Sequence, residues 1–323
     1  MPDVLITENI LGAEMDALRA KFDCTFEPDL WRQPEALQAI IGNYKALIVR
    51  NQTQVTRALI TAGTNLQIIG RAGVGLDNVD LPAATEHGIV VAFTPEQNAN
   101  SVAELTIGLI LSLARKIPAA DRDTKQGGWK RQQFTGIEIS GKKLGVVGFG
   151  RIGLSTAHKA RALGMDIIAY DPFVDAESLK AMEVRAAMTG LENVLQKADF
   201  ISCHLPATKS TMNLFDDEKF ALMKPSAYFI NTSRGEVVNE DALIRALQEC
   251  KIAGAALDVR AQEPPSHSAL AEMDNVILLP HIGAFTREGQ TRVVTAVCKD
   301  VAAVLNGEAA KNFANFDKPK AGF

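Results

Sequence analysis

The 323-residue sequence holds only four cysteines, no basic tract, no long apolar run and no low-complexity segment. Cys24, Cys203, Cys250 and Cys298 are far apart, with no C-x-x-C pair. That spacing excludes a zinc-ribbon site or a disulfide framework, so reduced thiols, a cytoplasmic setting and no bound metal are expected. With 34 Lys and Arg against 38 Asp and Glu, the net charge of -4 argues against nucleic acid as a partner. An anionic substrate would instead need a few placed arginines. The most apolar run, 105–114, falls short of the about 20 residues that span a bilayer. Asp3 stands where a secretory leader would be basic, so neither a leader nor a membrane anchor is expected. What is present, 47% hydrophobic and 22% charged residues, is ordinary for globular proteins and excludes intrinsic disorder. At roughly 150 residues per domain, two domains are expected.

Short apolar runs alternate with helical patterns throughout. Strands are expected at 4–6, 46–49, 66–69 and 89–93, with a helix at 12–21, and this first series ends near Asn98. Ser101 and Glu104 have capping-box spacing and predict a helix start. The helix after them is apolar nearly all round, so it must be buried inside the chain or against a second subunit. A second series gives strands at 144–148, 166–170, 199–204, 227–231, 252–257 and 276–279. Helices are expected at 154–163, at 239–249 capped by Asn239, and at 286–305. Near-continuous apolar strands between helices imply an α/β fold, with doubly wound parallel sheets covered on both faces.

The strongest local signal is Gly148-Phe149-Gly150-Arg151-Ile152-Gly153. It follows an apolar strand, opens a helix and leads to a further strand ending at Asp171, which is the context a Rossmann dinucleotide fingerprint demands. Gly148 permits the tight turn, Gly150 admits the pyrophosphate, and Gly153 lets helix and sheet pack closely. The anion is expected at the helix N-terminus. Asp171, 18 residues after Gly153, can accept from the ribose hydroxyls and would repel a 2′-phosphate, so NAD is expected rather than NADP. Arg151 and Ile152 within the fingerprint, and His204, Pro206 and Thr232 at further strand ends, complete the expected cofactor contacts. A second glycine cluster, 70–75, lacks the spacing, and both a plain βα turn and a ligand loop fit it.

Three polar clusters end successive strands of the second series, around Arg234, Glu263 and His281. Carboxyl ends of parallel strands share one edge, and ligands bind there. Hydride transfer at a carbon bearing oxygen needs a cation to hold and polarise the oxygen, and an acid–base group to move a proton. Arg234 suits the first task, since its planar fork is always charged. His281 suits the second, with Glu263 orienting the far imidazole nitrogen.

With these residues in place, the chain resembles the NAD-dependent D-2-hydroxyacid dehydrogenases, and within them the phosphoglycerate dehydrogenases of serine biosynthesis. The segments that carry the likeness are 49–51, 70–80, 102–106, 145–153, 231–235, 255–259 and 280–284. The resemblance implies Arg234, Glu263 and His281 as the catalytic set, and Asp258 as a partner of the nicotinamide amide. It further implies Val74 and Gly75 as backbone donors to a substrate carboxylate, with Arg50 and Asn51 also binding substrate. Residues 1–98, completed by 288–323, would form a flavodoxin-like substrate domain into which a Rossmann domain, 99–287, is inserted. A cleft closing on substrate is implied, and so is a homodimer through the helix after Ser101.

The chain also departs from the family pattern. Arg260 stands where an aromatic is usual, Ala261 or Gln262 where an acid is usual, and Phe285 where a small residue is common. These positions border the substrate region in the family, so a changed pocket size and charge are expected. A short form without the regulatory C-terminal extension is also expected. Arg50, Arg71 and Arg131 are available for a second anionic group, so a small 2-hydroxy or 2-oxo acid carrying a phosphate, sulfonate or second carboxylate is expected; the resemblance implies 3-phosphoglycerate and 3-phosphohydroxypyruvate as the pair. Hydroxypyruvate or glyoxylate reduction and sulfolactate oxidation are the alternatives. A corepressor-like NAD sensor is the rival from outside enzymology, and an intact catalytic set argues against it.

Overall fold

A computed structural model describes residues 2–95 and 97–318. These form two compact units, one from the described residues up to 98 and from 286 onward, the other from 99–285.

The first unit is a five-stranded parallel sheet built from β1 (Val4–Ile6), β2 (Cys24–Phe26), β3 (Ala46–Val49), β4 (Ile68–Arg71) and β5 (Val90–Ala92). Its strand order, β2-β1-β3-β4-β5, is that of a flavodoxin-like sheet. Side chains alternate between faces, as the pleat requires. Val4, Ile6, Ala46 and Ile48 pack with Val293, Val297 and Val301 of the helix Arg287–Leu305, while Leu5, Leu47 and Ile69 pack with Leu37, Leu59 and Ile60. The last long helix of the chain therefore closes the core that the first residues open. Thr286 caps it, accepting from the Gly289 N–H.

The second unit is a seven-stranded parallel sheet: β6 (Lys143–Val147), β7 (Asp166–Tyr170), β8 (Ala187–Met188), β9 (Phe200–Cys203), β10 (Tyr228–Asn231), β11 (Gly254–Leu257) and β12 (Val276–Leu278). The order β12-β11-β10-β9-β6-β7-β8 reverses direction between β6 and β9, which is the doubly wound switch point. One face packs Val147, Ile201, Phe229 and Leu257; the other packs Leu144, Val146, Phe200 and Ile230 against the flanking helices.

Two local expectations change, and the apolar helix meets one of the two alternatives open to it. The helix begins at Ala99, so Ser101 lies inside its first turn rather than at a cap, and Glu104 accepts from the Asn100 side chain. The apolar helix Ala99–Arg115 buries Val102, Ala103, Ile107, Leu109, Ile110 and Leu113 within its own unit. Strands β2 and β8 were not anticipated. Each is short and lies at a sheet edge, without the continuous apolar run that marks a strand buried on both faces.

Candidate active site

At the β6–β9 switch point the fingerprint glycines meet three different demands. Gly148 has φ +93°, a conformation side chains resist, and a Cβ there would press on the His204 carbonyl. A Cβ at Gly153 would collide with the Gly148 carbonyl, so this glycine is required for close packing of the helix Arg151–Ala162 on the sheet. A Cβ at Gly150 would meet no protein atom at all. The protein itself does not require glycine there, so the bare backbone leaves room for something outside the chain. That fits a dinucleotide pyrophosphate approaching the helix N-terminus.

Asp171, directly after β7, accepts from the Phe149 N–H at 2.7 Å and the Phe173 N–H at 2.9 Å. It ties the glycine turn to the neighbouring strand, and each oxygen retains a second acceptor site. His204, directly after β9, donates its backbone N–H to the Val147 carbonyl and pairs its Nε2 with Ser202 Oγ at 2.9 Å. Burial pushes its imidazole down to about 3, so the ring is neutral, and its buried Nδ1 has no partner among the described residues. A neutral ring with an unsatisfied nitrogen beside the glycine turn also fits a bound cofactor. Pro206 and Arg151 are exposed and Ile152 is half-buried. Thr232 is buried, with its hydroxyl 2.9 Å from that of Thr106.

The edge formed by β10, β11 and β12 carries Arg234, Glu263 and His281 on the segments that follow these strands. Beyond β10, Asn231 folds the turn that presents Arg234. Its amide donates to the Arg234 carbonyl at 2.8 Å, and its oxygen accepts from the Ser233 N–H and hydroxyl. The Arg234 guanidinium donates to the Ser233 carbonyl at 2.8 Å. Beyond β12, His281 adopts φ 55°, unusual for any residue but glycine. Asp258, buried at the end of β11, holds it there. The His281 N–H donates to the Asp258 carbonyl, while the Ile282 and Gly283 N–H groups each donate to one carboxylate oxygen at 2.8 Å. Burial raises the Asp258 carboxyl against these N–H bonds, which lower it.

His281 Nδ1 lies 2.7 Å from Glu263 Oε2. The second oxygen of Glu263 accepts from the Arg260 N–H at 3.0 Å. Burial raises the Glu263 carboxyl, but these bonds and the nearby His281 and Arg234 charges outweigh it and leave the group below its ordinary value. Glu263 is thus an anion throughout the neutral range. With Nδ1 committed to Glu263, Nε2 is the nitrogen left to exchange a proton with a ligand.

The charge that the sequence adds at Arg260 is paired locally. Its buried guanidinium forks onto Glu240 at 3.0 and 2.6 Å and reaches Ser268 Oγ at 3.1 Å. Phe285, by contrast, is 55% exposed.

In the first unit, Arg50 and Asn51 follow β3, and Val74 and Gly75 follow β4, its sheet neighbour. Their scaffold includes a residue that sequence reasoning missed. Buried Glu8, at the end of β1, accepts from the backbone N–H groups of Arg50, Gln52 and Thr53 and from the Thr53 hydroxyl. Asn78 donates to the carbonyls of Arg50 and Thr53. The only available signal was a carboxylate placed just after a wholly apolar strand. Burial lowers the Arg50 guanidinium, against the Glu8 charge, which raises it.

Among the described residues no cluster of His, Cys, Asp and Glu could hold a metal ion, and no helix is long and apolar enough to cross a membrane. Residues 107–283 match the D-isomer specific 2-hydroxyacid dehydrogenase, NAD binding domain, family. The chain is 43% identical over 315 residues to D-3-phosphoglycerate dehydrogenase of Synechocystis sp., covering 98% of this chain and 56% of that one. It is 46% identical over 281 residues to D-3-phosphoglycerate dehydrogenase of Methanocaldococcus jannaschii, covering 87% and 53%. It thus spans about half the length of the curated relatives it matches. A glyoxylate reductase structure from Paecilomyces thermophila superposes with a TM-score of 0.88 at 29% identity, covering 98% of this chain and 100% of that one.

Proposed function

The chain belongs to the D-isomer specific 2-hydroxyacid dehydrogenases, and from that membership we propose that it interconverts 3-phosphoglycerate and 3-phosphohydroxypyruvate using NAD(H). The observation that carries the reading is the 2.7 Å His281–Glu263 pair, on the same sheet edge as Arg234. The identity to two phosphoglycerate dehydrogenases supports the choice of substrate.

In the reducing direction, His281 gives the proton on Nε2 to the substrate carbonyl oxygen while Glu263 holds Nδ1–H and stabilises the imidazolium. In the oxidising direction, neutral His281 takes the hydroxyl proton. Arg234 holds the substrate's carboxylate and carbonyl oxygens and polarises the C–O bond. Such acid–base assistance is worth about 10²–10⁴ in rate. The dinucleotide, when bound, supplies or accepts the hydride. Gly148, Gly150, Arg151, Ile152, Gly153 and Asp171 would hold it, with His204, Pro206, Thr232 and Asp258 lining its site. Arg50, Asn51, Val74 and Gly75 would bind the substrate's anionic groups.

The reading extends to a cytoplasmic enzyme of serine biosynthesis that acts as a homodimer. Ile117 and Trp129, 50% and 77% exposed beyond the apolar helix, support a contact between copies. Equilibrium sedimentation tests it. Substrate choice is tested by loss of reduced-nicotinamide absorbance with a panel of 3-phosphohydroxypyruvate, hydroxypyruvate, glyoxylate and sulfopyruvate. The phosphorylated acid should give the highest kcat/KM. A preference for glyoxylate or sulfopyruvate would overturn that assignment, and inertness toward the whole panel would overturn the activity.

A further inference from the structure

Glu263 can orient His281 only if something orients Glu263. One of its oxygens faces the imidazole, and the other is held, among the described residues, by the peptide N–H of Arg260. The position of that peptide is therefore transmitted directly to the acid–base pair. Three contacts fix it, and none belongs to a residue assigned so far to the reaction. The Arg260 side chain grips both oxygens of Glu240, the next N–H (Ala261) donates to Glu240 Oε1 at 2.9 Å, and the Arg260 backbone lies against Gly235 so closely that a Cβ there would collide with it. Glu240 in turn opens the helix Glu240–Gln248, which is capped by Asn239 and anchored by buried Leu243 and Leu247. The loop is thus held between two carboxylates, Glu263 on one N–H and Glu240 on the next.

We propose that Glu240, acting through its fork to Arg260, is a positioning residue for the His281–Glu263 pair. This deepens the dehydrogenase reading and rests on Glu263 acting in catalysis. Buried Arg260 makes the Glu240 contact more than a solvated surface pair, because removing one partner leaves the other charge desolvated and the loop without its anchor. A lysine at 260 would keep the charge but lose the two-pronged grip that sets the direction of the peptide.

A double-mutant cycle tests this on the full chain, with Glu240→Gln, Glu263→Gln and the pair, and with Arg260→Lys as a second route to the same contact. Steady-state kcat and KM for 2-oxo acid reduction, NADH affinity by fluorescence, and Tm are measured for each. Glu240→Gln should lower kcat about 10-fold, a fraction of what the acid–base pair contributes, with KM and NADH Kd within about twofold. Arg260→Lys should do the same. Because Glu240 works through Glu263, its substitution should cost nothing further once Glu263 is Gln. Losses that multiply in the double variant, or a kcat loss matched by weaker NADH binding, would overturn the positioning role. A Glu263→Gln enzyme with unchanged kcat would overturn the catalytic reading beneath it, which is a distinguishable result.

Discussion

Asp171 has one observed task and one proposed. It braces the glycine turn through the Phe149 N–H, and in the proposed complex it would accept from the ribose hydroxyls. Asp171→Ala should raise KM for NAD about tenfold while raising KM for NADP much less, since the charge that repels a 2′-phosphate is gone. Equal losses with both cofactors, in steady-state assays, would leave only the bracing role. Arg50 makes a parallel case on the substrate side. Its backbone is fixed by Glu8 and Asn78, so truncating the guanidinium should leave the loop intact. Arg50→Ala should raise KM about 10- to 100-fold for a phosphorylated 2-oxo acid, the scale of a lost charge-assisted bond. The effect on glyoxylate should be far smaller; similar effects on both would remove Arg50 from the second-anion site. The pairing of His281 with Glu263, on the same sheet edge as Arg234, was legible because such residue types are few and fall at strand ends. Glu240 and Glu8 were not, because a Glu opening a helix and a Glu after a strand occur everywhere. Only the partners that the fold brings to them make them specific.

The turn after β12 shows how an element's end becomes a site. Two carboxylate bonds from Asp258 to consecutive N–H groups keep His281 in a left-handed conformation that costs about 1–2 kcal/mol outside glycine. Asp258→Asn would turn one acceptor into a donor facing a donor. The expected result is a loss of about 1–3 kcal/mol in stability, seen as a lower Tm, together with a reduced kcat; an unchanged kcat would mean the turn holds without Asp258. The loop after β11 adds a pH dependence. Glu240 and Glu263 are both raised by burial yet more strongly lowered by their hydrogen bonds and charged neighbours. Their contribution is therefore complete above the ordinary value of 4.5 and lost as pH falls through the lowered folded-state values. Wild-type Tm should drop more steeply than that of Glu240→Gln across that acidic window, as calorimetry at successive pH values would read. At this scale the central strands were plain in the sequence, since burial on both faces demands unbroken apolar runs. Edge strands β2 and β8 escape that demand and so escaped notice. The capping-box spacing at Ser101 misled because the helix continues through Ala99 and Asn100.

On the scale of the whole chain, one unit is sewn from two distant segments and the other is continuous. The first unit depends on residue-level fit between β4 and the chain's last long helix. A Cβ at Gly70 would stand 2.8 Å from the methyls of both Val297 and Val301, so glycine there sets how closely the helix lies on the sheet. The second unit has its own two-faced core and its own glycine turn, and nothing in that packing refers to Gly70. Gly70→Val should therefore overpack the first unit by about 1–3 kcal/mol while leaving the second intact. With two cores, unfolding need not be a single transition. Heating the variant should abolish 2-oxo acid reduction at a temperature where NADH fluorescence still reports binding, and calorimetry should show an added early transition. If NADH binding and turnover were instead lost together in one transition, the two units would fold as a single cooperative body, and the packing of the last helix would stabilise the nucleotide site as well.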